Sequence, residues 1–280
     1  MLTTTDDLVD DYKKFLANKH PGRIKSFCDL LASHPASARA EAITFYFLRD
    51  RVDKVQIEED PTKGGVDFRC ETRKSEFVVE VTHLENESVS QASGKRNEIP
   101  EKNTVGSYSR ITHLLRSNAS DKARQMSGYC CPSLLVMTSE HVYANDLLSS
   151  KIAAEFLLTS DTSIPVPHPP ANPATDLILE TDLKDSVFFR FNNQNNNFES
   201  CRQSISAILL CSIYANAMGV IGILHPNPVR KFPIKFLPTI PFVKLKKWPP
   251  ENNEIGTEWV THKRTNTMIT GAFRWDYSSA

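Results

Sequence analysis

Several things are missing from this sequence, and each absence removes a class of protein. The 280-residue chain carries no net charge, because 33 Lys and Arg stand against 33 Asp and Glu. That excludes a protein that holds nucleic acid by bulk positive charge alone. With 40% hydrophobic residues it is no disordered chain either, since such chains combine few apolar residues with a large net charge. There is no long apolar run. The densest stretches, such as Ile208-Leu209-Leu210-Cys211, are far too short to span a bilayer. The opening MLTTTDDLVDD is acidic and lacks the basic-then-apolar order of a secretory signal. A cytoplasmic protein with no membrane contact is therefore expected. Cysteine is too sparse for a disulfide framework. Cys28, Cys70, Cys201 and Cys211 are isolated, and the adjacent Cys130-Cys131 lacks the spacing of a zinc site. All six read as reduced thiols. Gly64-Gly65, Gly219 and Gly222 do not fit a P-loop or a dinucleotide-binding loop, no Gly-x-Ser-x-Gly elbow exists, and no internal repeat is visible.

What is present is a change of hydrophobic period. Residues 6–32 read as two short helices parted by His20-Pro21-Gly22, and a third helix follows Pro35 with Glu41 in its first half. Then VDKVQIE (52–58), VDFRCE (66–71) and EFVVEVT (76–82) alternate apolar and polar residues. With tight connections between them they predict an antiparallel three-strand meander. Residues 86–104 read as a loop. Residues 105–127 read as a helix interrupted near Ser117-Asn118, and SLLVMT after Pro132 as a central strand covered on both faces. Residues 145–158 predict a further helix, PVPHPPANP near 163–175 can continue no regular structure, and Asn192–Asn197 suits an exposed turn. Residues 204–212 and 219–224 read as a hairpin. The fold class is α/β (α+β), a mixed sheet flanked by helices. Three parts are expected: a helical segment over 1–34, a core over 35–224 with a Pro-rich and Asn-rich insertion at about 160–200, and a basic extension over 225–280.

The stretch GGVDFRCETRKSEFVVEVTHL (64–84) carries the chemistry. Asp67 follows a Gly-Gly turn at the start of one strand. Glu80 sits inside the next strand, between Val79 and Val81. Period two puts Val78, Glu80 and Thr82 on one face. Adjacent antiparallel strands bring the two carboxylates together, and a divalent cation relieves both their repulsion and the cost of burial. This pattern resembles the PD-(D/E)XK phosphodiesterase superfamily, which includes many restriction endonucleases and DNA-repair nucleases. Asp67 matches its Asp on the second core strand and Glu80-Val81 begins its Glu-x-Lys. Glu41 is similar to the auxiliary helix-borne Glu, and the order from Pro35 to Thr138 looks like an αβββαβ core. Thr82 stands where the Lys is expected. Lys122-Ala123-Arg124-Gln125 resembles the helix motif by which some members supply Lys or Gln instead, at i and i+3 on one face.

The resemblance implies that Glu41, Asp67, Glu80 and the Val81 carbonyl hold Mg²⁺ or Mn²⁺. It implies that Thr82, Lys122 and Gln125 complete the catalytic set, and that DNA is cleaved by a restriction or defence nuclease, dimeric if its target is a palindrome. Singly, each residue has a plainer reading: Asp67 as a turn residue, Glu80 and Thr82 as the wet face of a hairpin, Glu41 as a charge favoured near a helix start. Thr82 also keeps open a degenerate module that binds nucleic acid or a protein partner without cleaving. A third alternative makes the acidic residues surface features of an interaction protein. The neutral total hides a division along the chain: net −4 over 1–93, +4 over 94–128, −5 over 129–224 and +5 over 225–280. The last block holds Lys244, Lys246, Lys247, Trp248, Lys263 and Arg264, a mixture suited to phosphate and base contacts.

Overall fold

The computed structural model describes residues 4–59, 64–73, 75–98, 108–160, 186–192, 194–214, 216–250, 255–262 and 271–274. Three helices open the chain: α1 (Thr5–Lys19), α2 (Pro21–Ser33) and α3 (Pro35–Arg49). Thr4 and Asp7 form a reciprocal capping box on α1, and Pro21 and Pro35 start α2 and α3 at positions where their missing N–H costs nothing. The expected meander follows as β1 (Lys54–Ile57), β2 (Phe68–Thr72) and β3 (Ser75–His83), paired antiparallel. The central strand β4 (Ser133–Ser139) is buried along its whole length and runs parallel to β3. The hairpin β7 (Ala207–Tyr214) and β8 (Ala217–Leu224) extends the sheet, with β7 parallel to β4.

The sheet continues past residue 224. Strands β9 (Phe242–Leu245) and β10 (Thr257–Val260) lie beyond β8, and β11 (Gly271–Arg274) also pairs with β8, so nine strands run in the order β1-β2-β3-β4-β7-β8-β9-β10 with β11 as a branch. A separate ribbon, β5 (Phe189–Asn192) with β6 (Asn197–Ser200), holds the expected Asn-rich turn. This mixed sheet flanked by helices is the α/β (α+β) class that the periodicity implies.

The structure departs from the sequence reading in three places. Residues 86–104 are not all loop: α4 (Asn86–Ser93) buries Val89 and ends at Gly94, whose φ of 72° suits glycine. The helix α5 (Tyr108–Gln125) is unbroken at Ser117-Asn118, because Asn118 and Ser120 donate back to the Leu114 and Arg116 carbonyls, both at 2.9 Å. The helix expected over 145–158 is two, α6 (Ala144–Leu147) and α7 (Lys151–Thr159), because Ser150 caps α7 by accepting from the Ala153 N–H at 3.1 Å. The Pro-rich run near 163–175 lies outside the described residues. All six cysteines are free thiols. Among the described residues no helix is long and apolar enough to cross a membrane.

The two faces of the sheet have separate cores. On one, α1–α3 cover Phe68, Phe77, Val79 and Val136 with Tyr12, Phe27 and Phe45. On the other, α5, α6, α7 and β5–β6 cover Val78, Leu135, Met137 and Ile208. The last part of the sheet depends on one close approach: a methyl on Gly222 would overlap the ring of Phe242, which is fully buried in β9. Gly222→Ala is therefore expected to cost about 1–3 kcal/mol by overpacking, read as a lowered midpoint in urea unfolding. An unchanged midpoint would show that the β8–β9 pairing is not tightly packed.

Candidate active site

The strands β2 and β3 part company at their ends, and the site is built where they do. Their register pairs Phe68 with Val79, so the next step of the ladder sets Asp67 beside Glu80. There the side chain of Asp67 replaces a main-chain partner: its Oδ2 accepts the Val81 N–H at 2.6 Å. Its own carbonyl accepts the Glu58 N–H at 3.0 Å, continuing the β1 ladder. Asp67 is thus pinned from both neighbouring strands. In an extended strand the N–H and C=O of one residue point the same way, so the Val81 carbonyl faces the Asp67 side as well.

Glu80, only 2% exposed, points to the opposite face from Val79 and Val81, toward α5. The amine of Lys122 reaches its Oε1 at 2.5 Å, and the Gln125 amide donates to its Oε2 at 3.0 Å and to the Gly65 carbonyl. Lys122 also donates to Gln125 Oε1 at 3.3 Å. The helix motif therefore converges on the strand carboxylate. Thr82 and His83 line the same cleft, His83 with its Nδ1 at 2.9 Å from Thr138 Oγ1.

Glu41, on α3, opens onto the cleft from the other side of the sheet. It is held by the Tyr12 hydroxyl, which donates to Oε1 at 2.8 Å, and lies 4.0 Å from the Arg23 guanidinium. Arg23 in turn is ion-paired with Glu59. Among the described residues no three His, Cys, Asp or Glu side chains form a metal-ligand group, so Glu41 does not join Asp67 and Glu80 in a three-carboxylate cluster. Tyr12, Arg23 and Glu59 escaped the sequence reading. The one signal for Arg23 was an arginine inside the apolar stripe of α2.

The basic residues of the C-terminal block are not brought to this cleft. Lys244 is paired with Glu258 at 2.8 Å, and the Lys246 N–H bonds the Gly256 carbonyl. With Lys247 they belong to the β9–β10 end of the sheet, four strand steps from β3, about 19 Å at the usual spacing. Lys263 and Arg264 lie outside the described residues.

The cleft encloses about 420 Å³. Its ionisable lining is Glu41, Glu59, Asp67 and Glu80 against Arg23 and Lys122, two more acidic groups than basic ones. Burial, more than the crowding of like charges, favours the protonated form of three of these acids. Burial, then the charge of Glu80, holds the Asp67 carboxyl well above the ordinary range. Burial raises Glu80 too, opposed by Lys122. Burial, then Asp67, pushes Glu41 up to about 8. Two carboxylates and a main-chain carbonyl are oxygen donors of the kind that Mg²⁺ takes.

A carboxyl raised in the folded state keeps its proton while the unfolded chain loses its own. Stability is therefore lost as pH rises from about 4.5 toward 8. In a chelator, Glu41→Gln should remove up to about 5 kcal/mol of that decline while keeping an acceptor for Tyr12. Melting temperatures of both proteins between pH 5 and pH 8.5 (roughly the span of the transition) check this. Parallel curves would show that Glu41 ionises normally. Compared with protein families, with curated proteins and with solved structures, the chain matches none, and the cleft is read from its own geometry.

Proposed function

We propose that this chain is a metal-dependent phosphodiesterase, an endonuclease of restriction or defence type that cleaves DNA. One observation carries the reading: Lys122 and Gln125 from α5 meet Glu80 beside Asp67, in a cleft lined by four carboxyl groups and two cationic side chains. An Asp and a Glu from neighbouring strands, met by a Lys and a Gln from the helix before β4, are what the PD-(D/E)XK resemblance implies, with α4 as an additional helix in the order.

Asp67, Glu80 and the Val81 carbonyl would hold Mg²⁺ or Mn²⁺. When bound, such an ion acts as a Lewis acid toward a phosphate oxygen and lowers the pKa of a coordinated water. The chain supplies the remainder. Among the described residues Lys122 is the one cation in contact with Glu80. Its amine can turn to a phosphate oxygen once another positive charge compensates the carboxylate. Gln125 is anchored on the Gly65 carbonyl, so its amide is held in place to orient a water molecule. Thr82 lines the cleft and donates a hydrogen bond without charge, so Lys122 carries the electrostatic work alone. Arg23 and Glu41 shape the opposite wall, where the Tyr12 hydrogen bond fixes Glu41. One feature favours a second reading, a module that binds without cleaving: Thr82 replaces the motif lysine, and Lys122 is already engaged with Glu80.

Supercoiled plasmid incubated with the protein and Mg²⁺ or Mn²⁺ should be nicked. Asp67→Asn and Glu80→Gln should abolish nicking, and Lys122→Ala should slow it about 100-fold or more. Wild-type protein that binds the plasmid but leaves it intact with both metals would favour the non-cleaving module. Neither binding nor cleavage, on DNA or RNA, would overturn both readings.

A further inference from the structure

On the other flank of α5 a second cavity, about 570 Å³, opens between that helix and the β5–β6 ribbon. Among the described residues four arginines and no acidic side chain line it: Arg116 and Arg124 from α5, Arg190 from β5, and Arg202 just after β6. Ser120 on α5 and Ser127 in the turn after it add hydroxyls. Arg202 is the fixed element. Its φ of 56° lies in the left-handed region, which a non-glycine residue holds only when its surroundings impose it. Its guanidinium donates to Ser120 Oγ at 2.9 Å, to the Val187 carbonyl at 2.7 Å and to Cys201 Sγ at 3.3 Å, all neutral partners. Burial and the nearby Arg116 charge work against its charged form. The acids of the neighbourhood sit on the outer arginines: Asp121 pairs with Arg124 at 2.6 Å and Glu199 with Arg190 at 3.0 Å. The Arg124 pair is solvent-exposed, whereas Glu199 is held by two hydrogen bonds from Arg190 and one from Asn192. The cavity thus concentrates positive charge on forked donors beside hydroxyl groups, which is the chemistry that binds phosphate.

We propose that this cavity is a phosphate subsite that holds the backbone of the nucleic-acid strand beside the cleft. The placement follows from the helix. Residues 116, 120, 123 and 124 form one stripe of α5, while Lys122 and Gln125 face the cleft. The two sites are separated by one helix width, about 10 Å, which is roughly three phosphates along a duplex strand. The identity of the strand rests on the phosphodiesterase reading; the arginine geometry does not.

The test uses the full chain in a chelator and a short fluorescent DNA duplex, followed by anisotropy across a salt series. Arg116→Gln with Arg190→Gln leaves the Arg202 anchors intact, and an unchanged melting temperature confirms that the double variant folds. Its affinity should fall about tenfold, and the slope of log K against log salt should become shallower by about two. Affinity and slope equal to wild type would overturn the proposal. Calorimetric titration of inorganic phosphate and pyrophosphate separates the sources. Binding of these ions that needs the arginines, with duplex binding unaffected, assigns the cavity to a small phosphate compound and also overturns it. Arginine-dependent duplex binding with no cleavage on adding Mg²⁺ supports the subsite, and it is the phosphodiesterase reading that then fails.

Discussion

A carboxylate in the middle of an apolar strand is the constraint around which this structure is arranged. Glu80 lies between Val79 and Val81 in β3 and is 2% exposed. An ionised side chain so placed costs several kcal/mol unless it is paired and hydrogen-bonded. The compensation comes from Lys122 and Gln125, which must descend on it together. That fixes the rotation of α5 about its axis and its height above the sheet. Ile111, Leu115 and Ala119, on the same helix, then fall on the core formed by Leu135 and Met137. The polar contact and the apolar packing specify one placement of α5, so neither can shift without the other.

On the opposite face the constraint is aromatic. Tyr12 meets the ring of Phe27 edge-on at 4.9 Å and that of Phe45 at 4.9 Å, so its hydroxyl is aimed at Glu41 by packing. The helices α1 and α2 would otherwise be separable from the sheet. By delivering Tyr12 and Arg23 they become a wall of the cleft. Removing the aromatic contacts would therefore loosen the Glu41 side of the cleft before it touched Asp67, which is held by the β1 and β3 main chains.

How much of this could be read in advance divides along physical lines. Strands β1 to β4 announce themselves because each has a period fixed by one or two buried faces, as in FVVEV and SLLVM. The pairing of Asp67 with Glu80 was legible because the two-residue connection between Thr72 and Ser75 leaves β2 and β3 little freedom of register. The convergence of Lys122 and Gln125 on Glu80 was visible through a family pattern, not through spacing. Tyr12, Arg23 and Glu59 were not legible, since they reach the cleft through tertiary contacts that no local period encodes. The strands β9 to β11 were hidden for a different reason. They are four residues long and set among prolines and aromatics; β9 and β11 take their conformation from the edge of β8, and β10 from β9. The breaks at Ser150 and the continuity at Asn118 turn on single side-chain hydrogen bonds, which composition cannot rank.

The zero net charge takes on a different meaning once the chain is folded. Screening at physiological ionic strength confines a surface charge to about 8 Å. Charges at the β9–β10 end of the sheet therefore do little to offset the cleft, however well the totals cancel. What a bound phosphate would feel is local: a cleft rich in carboxyl groups on one side of α5 and, on the other, four arginines, two of them paired with Asp121 and Glu199. A polyanion repelled by the first can be held by the second only if both lie within a Debye length or so of the same helix. That is the arrangement α5 makes, and it follows from the same rotation that the buried Glu80 imposes. Neutrality of the whole chain and a strong field at one helix are thus compatible consequences of a single buried charge.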